Sequence, residues 1–396
     1  MDFRYNVSVY LYAKGDLPVR PAYLDNSATT AVCKPAADKA YAVMTEIYGN
    51  PSSLHTLGFA AEQELSAARR QVAALMGVPP EGVVFTSGGT EANNLAVLGS
   101  VAAHPRAGRH IVTTAVEHSS VRASCDRLEQ EGYTVTRLTP AADGTVTARQ
   151  IVDACRPDTV LVAVMLVNNE TGARFPLERA VEDIRRVSPA AHIHCDAVQA
   201  AGKLPLKGER WRFDSMAVSA HKLHGPKGCG ALYLRRGARV QPRNIGGKQE
   251  NGVRCGTEAV PLIAAFGVAA GLVPSFAEQR AHFETLRARL LEQLEGREGI
   301  RFHLPAEGVP YIVHLSVPGI RSETLLHYLA QREIYVSSGS ACSKGAASPV
   351  LSAMGLPPEE IDSALRVSMD FSNTTEDIDR FCQSVLQATA ELVKRA

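Results

Sequence analysis

Ser215-Met216-Ala217-Val218-Ser219-Ala220-His221-Lys222-Leu223-His224-Gly225-Pro226-Lys227-Gly228 is a short apolar run that ends in polar residues, a lysine and a Gly/Pro-rich loop. It reads as a strand with a lysine just past its carboxyl end. A lysine in a desolvated pocket, or beside another cation, has a lowered pKa and can form a Schiff base. A surface lysine is far commoner, so the surrounding sequence must decide. Similar apolar runs lie at 83–86, 110–114, 135–138, 160–166, 193–196 and 231–234. Between several of them the spacing predicts helices at 91–101, 119–131, 147–155 and 177–187. An earlier helix over Gly58–Met76 is predicted from Phe59, Leu65, Ala68, Val72 and Leu75. This alternation predicts an α/β fold with a mostly parallel sheet of seven strands and helices on its faces. Ligands of such sheets sit beyond the carboxyl ends of the strands.

After about residue 258 the pattern changes. Helices are predicted at 259–273, 277–296, 322–332 and 375–395, with short strands near 311–317 and 334–338. The weaker alternation suggests a smaller α+β unit.

Composition removes several function classes. The 396 residues carry 42 basic and 41 acidic side chains, a formal net charge of +1. That argues against a nucleic-acid or anionic-membrane binder, which usually shows a basic excess. No run reaches about 18 apolar residues, so no membrane span is expected. The first twenty residues have mixed charge and no long apolar core, so a secretory signal is not expected. The eight cysteines, Cys33, Cys125, Cys155, Cys195, Cys229, Cys255, Cys342 and Cys382, form no CxxC pair and no metal-site spacing. Reduced thiols in a cytoplasmic protein are the expectation, most of them core filling.

Three more stretches carry chemistry-bearing residues past strand-like runs. Val83–Asn94 runs through Ser87-Gly88-Gly89-Thr90 into a helix, and such glycines let backbone N–H groups approach an anion. A plain turn with a Ser or Thr cap explains the same residues, and the spacing is neither a P-loop nor a dinucleotide fingerprint. His192–Gln199 delivers Asp196 at a strand end, where a carboxylate can pair with a cationic ligand group or serve as a turn residue. Ser337-Ser338-Gly339-Ser340-Ala341-Cys342-Ser343-Lys344-Gly345 reads as a flexible polar loop whose cysteine, near Lys344, can be a reactive thiolate or an incidental thiol.

Taken together and in this order, these motifs resemble the fold-type I pyridoxal-phosphate enzymes of the class V aminotransferase group. Within it the chain resembles the NifS/IscS-like cysteine desulfurases. The resemblance spans about residues 23–370. It rests on Tyr23–Thr30, Gly49–Ser53, Phe85–Asn94, Thr114–Val121, Val167–Gly172, Asp196–Gln199, Ser219–Lys222, Arg254–Thr257 and Ser337–Cys342. It implies a large cofactor domain over 25–275. It also implies a small domain of 1–24 and 276–396 that carries the cysteine loop at about 337–348.

The resemblance assigns roles. Lys222 would hold pyridoxal phosphate covalently, Asp196 would pair with its ring nitrogen and Gln199 with its phenolic oxygen. His118 would stack on the ring and assist proton transfer. Gly89, Thr90, Ser219 and His221 would bind the phosphate, with Thr257 reaching it from the partner subunit of a homodimer. Asn169 would contact both the cofactor and the substrate, and Arg366 would orient the substrate by a two-pronged grip on its carboxylate. Lys222, Cys342 and His118 would be catalytic. The substrate would be L-cysteine and the product L-alanine, with sulfur left as a persulfide on Cys342 for an acceptor protein in iron–sulfur cluster assembly or tRNA thiolation. Other readings are a selenocysteine lyase or an aminotransferase on the same scaffold, or a catalytically silent relative. The stretch after Cys342 is about two residues shorter than in IscS-like members and resembles a subgroup that serves tRNA thiolation. Cys255 stands where serine is more usual, and Met369–Asn373 also departs from the family's pattern.

Overall fold

A computed structural model describes residues 20–338 and 347–392. Its strands are β1 (Ala22–Tyr23), β2 (Val83–Thr86), β3 (His110–Thr114), β4 (Thr134–Leu138), β5 (Thr159–Met165), β6 (His192–Asp196), β7 (Ser215–Ser219), β8 (Gly230–Leu234), β9 (Arg301–Phe302), β10 (Ile312–Ser316), β11 (Ile334–Tyr335) and β12 (Ala364–Ser368). Seven of them form one sheet in the order β2-β8-β7-β6-β5-β3-β4. β4, β3, β5, β6 and β7 run parallel, while β8 lies antiparallel between β7 and β2. Two reversals restore the direction, so β2 points the same way as the parallel set. The carboxyl ends of β2, β3, β5, β6 and β7 therefore meet along one edge, beside the start of β8. Every residue of β5, β6 and β7 is buried. Strands covered on both faces read as continuous apolar runs, which is how the sequence shows them.

The strands of this sheet lie within one residue of the sequence expectation. Beyond it the correspondence loosens. The expected strand at 334–338 shrinks to Ile334–Tyr335, which pairs parallel with β1, and Ser337 makes a separate bridge to Arg366. β12 pairs antiparallel with β10, and β10 with β9. Neither β12 nor the helix Lys34–Thr45 was signalled by periodicity. Arg366 interrupts the apolar run of β12 yet is buried within it. The helix Lys34–Thr45 buries only Ala36 and Val43 and leaves Tyr41 and Met44 exposed, so its pattern marks no core face.

Local chemistry sets the helix ends near the site. The helix Gly89–Ala103 starts within the glycine pair, with Gly88 at its cap position. The helix Ser119–Gln130 is capped by His118, whose Nδ1 accepts from the Ser120 N–H at 3.2 Å. At the opposite edge of the sheet, buried Asp214 accepts from Arg185 and Arg235 at 2.5 Å each and from the Ile193 N–H at 2.8 Å. That clamp ties the starts of β6 and β7 to the end of β8.

Candidate active site

Lys222 follows β7 by three residues, and the chain turns at Ala220–Lys222 to aim its amine back along the sheet edge. Its Nζ donates to the Ser27 carbonyl at 2.5 Å and the Ala28 carbonyl at 2.8 Å. Burial disfavours its charged form, and the Arg366 and Lys203 cations repel the proton, so its pKa drops from 10.5 to about 7. Neutral at mild pH, such an amine is both a nucleophile and a base. His221, beside it, hydrogen-bonds Thr29 Oγ1 through Nδ1 at 3.2 Å. Burial and the neighbouring Lys222 lower its pKa to about 4, so it is a neutral imidazole.

The glycine turn after β2 reaches the same place. A Cβ on Gly89 would come within 2.8 Å of Val198 Cγ2 and 3.5 Å of Ser219 Cβ. A Cβ on Gly230, at the start of β8, would strike the Gly88 backbone at 2.7 Å. The glycines thus let the turn lie flat against β7 and β8. Ser219 Oγ is buried there without a hydrogen-bond partner among the described residues. The first N–H groups of the helix Gly89–Ala103, including that of Thr90, open the same corner, where a helix start favours an anion.

Asp196 ends β6 as expected. Its Oδ1 accepts from the Val198 N–H at 3.0 Å and its Oδ2 from Asn93 Nδ2 at 2.7 Å. Gln199 donates through Nε2 to the Ser27 carbonyl at 2.9 Å, while its Oε1 is buried and unpartnered. His118 follows β3. Burial lowers its pKa, against the pull of nearby Asp196. Its neighbour Glu117 is fully buried and accepts from Thr114 Oγ1 at 2.7 Å and the Met165 N–H at 3.0 Å. Burial pushes that carboxyl up to about 8, so it braces the β3–β5 turns in its neutral form.

The pair expected to orient the substrate, Asn169 and Arg366, also converges. Arg366 donates to the Asn169 carbonyl at 2.9 Å and to Asp25 Oδ1 at 2.7 Å. Asp25 lies in the quoted Tyr23–Thr30 motif but was given no role. Burial raises its pKa in spite of Arg366. Asn93 and Lys203 were likewise missed. Asn93 lies inside the quoted glycine-turn motif, but nothing in the spacing shows that it reaches β6. Lys203 is a lone lysine whose burial periodicity cannot reveal. Thr257 is exposed on this chain. Cys255 is buried, its Sγ 2.8 Å from the Gly247 carbonyl oxygen, which fits a structural thiol. Cys342 lies outside the described residues.

The comparisons with known proteins point one way. A family model described as Aminotransferase class-V matches residues 22–381. A "NifS/IcsS protein homolog" of Lactobacillus delbrueckii subsp. bulgaricus is 42% identical over 365 residues, covering 91% of this chain and 94% of its own length. "Cysteine desulfurase 2" of Trichormus variabilis is 40% identical over 379 residues, covering 94% and 93%. Among solved structures, one titled "NIFS-LIKE PROTEIN" superposes with a TM-score of 0.88 at 33% identity, covering 94% of this chain and all of that one. The chain therefore belongs to the class V aminotransferase family of fold-type I, pyridoxal-phosphate-dependent enzymes, among its NifS/IscS-like cysteine desulfurases.

The residues present fit that cofactor. Three buried polar atoms on the segments that flank Lys222, Ser219 Oγ, Gln199 Oε1 and Ser27 Oγ, have no hydrogen-bond partner among the described residues. Buried polar atoms are normally paired, so a polar group is called for at this spot.

Proposed function

We propose that this chain converts L-cysteine to L-alanine and keeps the sulfur as a persulfide on Cys342 before handing it to an acceptor protein. The observation that carries the reading is the half-buried Lys222 amine at the sheet edge, with Asp196, His118 and Arg366 around it. Lys222, Asp196, Gln199, His118, Gly89, Thr90, Ser219 and His221 would hold pyridoxal phosphate, and Thr257 of a second subunit would complete its phosphate site. The bound cofactor supplies an electron sink for the carbanion at the substrate's Cα.

Each side chain has a task in this reading. Arg366, steadied by Asp25 and the Asn169 carbonyl, grips the substrate carboxylate. Lys222, neutral at mild pH, takes the Cα proton. The Cys342 thiolate attacks the substrate sulfur. An S–S bond forms as the C–S bond breaks, the bonding pair stays with carbon, and protonation there leaves alanine. An attacking thiolate on the chain separates this reading from an aminotransferase, which needs none.

A homodimer belongs to the same reading. Tyr41, Met44, Tyr48, Leu54, Leu57 and Phe59 are exposed along one stretch of chain, the kind of apolar surface that usually marks an interface. So does a two-domain division near residue 275: the seven-stranded sheet lies before it, and β9, β10 and β12 after it. The acceptor would be an iron–sulfur scaffold or a tRNA-thiolation enzyme in the cytoplasm. No single helix among the described residues is long and apolar enough to cross a membrane.

Mass spectrometry of the protein after exposure to L-cysteine tests the proposal. One added sulfur on the Cys342 peptide is expected, absent in Cys342→Ser, and Lys222→Ala should lose the yellow cofactor absorbance. Sulfur on another cysteine, or alanine release unchanged in Cys342→Ser, overturns the assignment.

A further inference from the structure

Behind the site runs a buried hydrogen-bond chain that the reaction above does not use. Asn93 Nδ2 donates to Asp196 Oδ2 at 2.7 Å and to Ser120 Oγ at 2.9 Å, so both amide hydrogens are spent. Ser120 Oγ lies 2.8 Å from His118 Nδ1. Asn93 Oδ1 lies 3.0 Å from His194 Nε2, His194 Nδ1 lies 2.8 Å from Ser215 Oγ, and Ser215 Oγ lies 2.7 Å from His192 Nε2. Asn93, Ser120, Asp196, His192, His194 and Ser215 are all buried.

The chemistry of the donors fixes the direction of every link. A carboxylate only accepts, so the amide nitrogen of Asn93 faces Asp196 and its oxygen faces His194. An amide oxygen only accepts, so His194 carries its proton on Nε2. Its Nδ1 then accepts the Ser215 hydroxyl proton, and Ser215 Oγ in turn accepts from His192 Nε2–H. On the other arm Ser120 Oγ accepts from Asn93, which leaves the Ser120 hydroxyl proton for His118 Nδ1. The Ser120 N–H donates to the same nitrogen at 3.2 Å. All the donors on the His192 arm therefore point toward Asp196.

We propose that Asn93 is a positioning residue that sets both catalytic partners at once, holding Asp196 as an acceptor and leaving Nε2 as the one His118 nitrogen that carries the mobile proton. His194 is the residue that orients Asn93. Its Nε2–H selects which way the amide faces, and Ser215 and His192 hold that tautomer from behind. The sulfur-releasing reaction is taken from the reading above. The hydrogen-bond direction is a property of the chain alone and can be read without the cofactor.

Two measurements decide it. The first is 15N NMR of histidine-labelled, cofactor-free protein. Wild type should show His118 with Nδ1 unprotonated and Nε2 protonated. In Asn93→Asp the new carboxylate cannot donate; it draws the Ser120 hydroxyl toward itself and faces Asp196 as a like charge. The His118 Nδ1 signal should then shift, and kcat should fall by about ten- to a hundredfold with KM changed far less, as is usual when a supporting hydrogen bond is lost.

The second compares His194→Gln, whose amide nitrogen can replace the imidazole Nε2–H, with His194→Leu, which cannot donate. Each rate is taken per cofactor-loaded enzyme, so loss of fold is counted separately. His194→Gln should keep kcat within about threefold, and His194→Leu should fall with Asn93→Asp. A His118 protonated on Nδ1 in wild type, or equal kcat in all three variants and wild type, overturns the proposal. A wild-type protein that releases no alanine from L-cysteine would sink the desulfurase reading and leave the NMR result standing.

Discussion

Partial burial costs the Lys222 amine solvation, and Arg366 and Lys203 crowd it with positive charge, while Asp25 and Asp196 pull the other way. Burial and repulsion win, and the amine titrates near pH 7. The neutral form attacks an aldehyde, so the rate at which cofactor-free protein takes up pyridoxal phosphate should climb through about pH 7 and level off above it. Stopped-flow absorbance across pH measures this. A climb that continues toward the ordinary lysine range would show that the amine is not perturbed. Lys203→Met removes one repelling cation and should move the midpoint upward.

At the scale of elements, the turn after β2 and the first residue of β8 are fitted backbone to backbone. Gly230→Ala places a methyl group 2.7 Å from the Gly88 backbone, an overpacking worth about 1–3 kcal/mol. The strain falls on the corner formed by Gly88, Gly89 and Ser219. Urea unfolding of the cofactor-free variant should show a loss of that size, and dialysis should strip its cofactor faster than from wild type. Unchanged retention would mean that this corner does not hold the cofactor.

The large sheet was legible because its strands are buried on both faces and read as plain apolar runs. Asp196, Ser219 and Lys222 were legible because strand ends are where such sheets carry ligands. β12 was not, since a buried arginine breaks its apolar run, and its partners Asp25 and the Asn169 carbonyl lie more than 190 residues away along the chain. The Asn93 link was hidden for the same reason. Its partner Asp196 lies 103 residues onward, and no local period records a contact of that kind.

At the scale of the whole molecule, six of the eight exposed large apolar side chains among the described residues fall between Tyr41 and Phe59, with Val187 and Ile245 apart from them. If a second copy covers that stretch, Tyr48→Lys combined with Phe59→Lys should shift the protein from dimer to monomer in sedimentation velocity, with cofactor retention reduced as Thr257 loses its reach. A dimer of unchanged strength would place the interface elsewhere.

The segment that steadies Lys222 is among the first described parts of the chain, yet it is held by the last. Ala22 and Tyr23 pair with Ile334 and Tyr335, Ser27 N–H donates to Ser368 Oγ at 2.9 Å, and Asn26 Nδ2 reaches Asn373 Oδ1 at 3.2 Å. Synthesis proceeds from the amino end, so a ribosome-bound chain can close β2–β8 long before those partners emerge. The Ser27 and Ala28 carbonyls that steady Lys222 therefore sit between two clamps: an early one, where Gln199 donates to the Ser27 carbonyl and the Thr30 N–H to the His221 carbonyl, and a late one that is complete only when about residue 373 has left the exit tunnel. A nascent chain stalled short of that point has the sheet and the early clamp but lacks the late one, so its lysine is held from one side only.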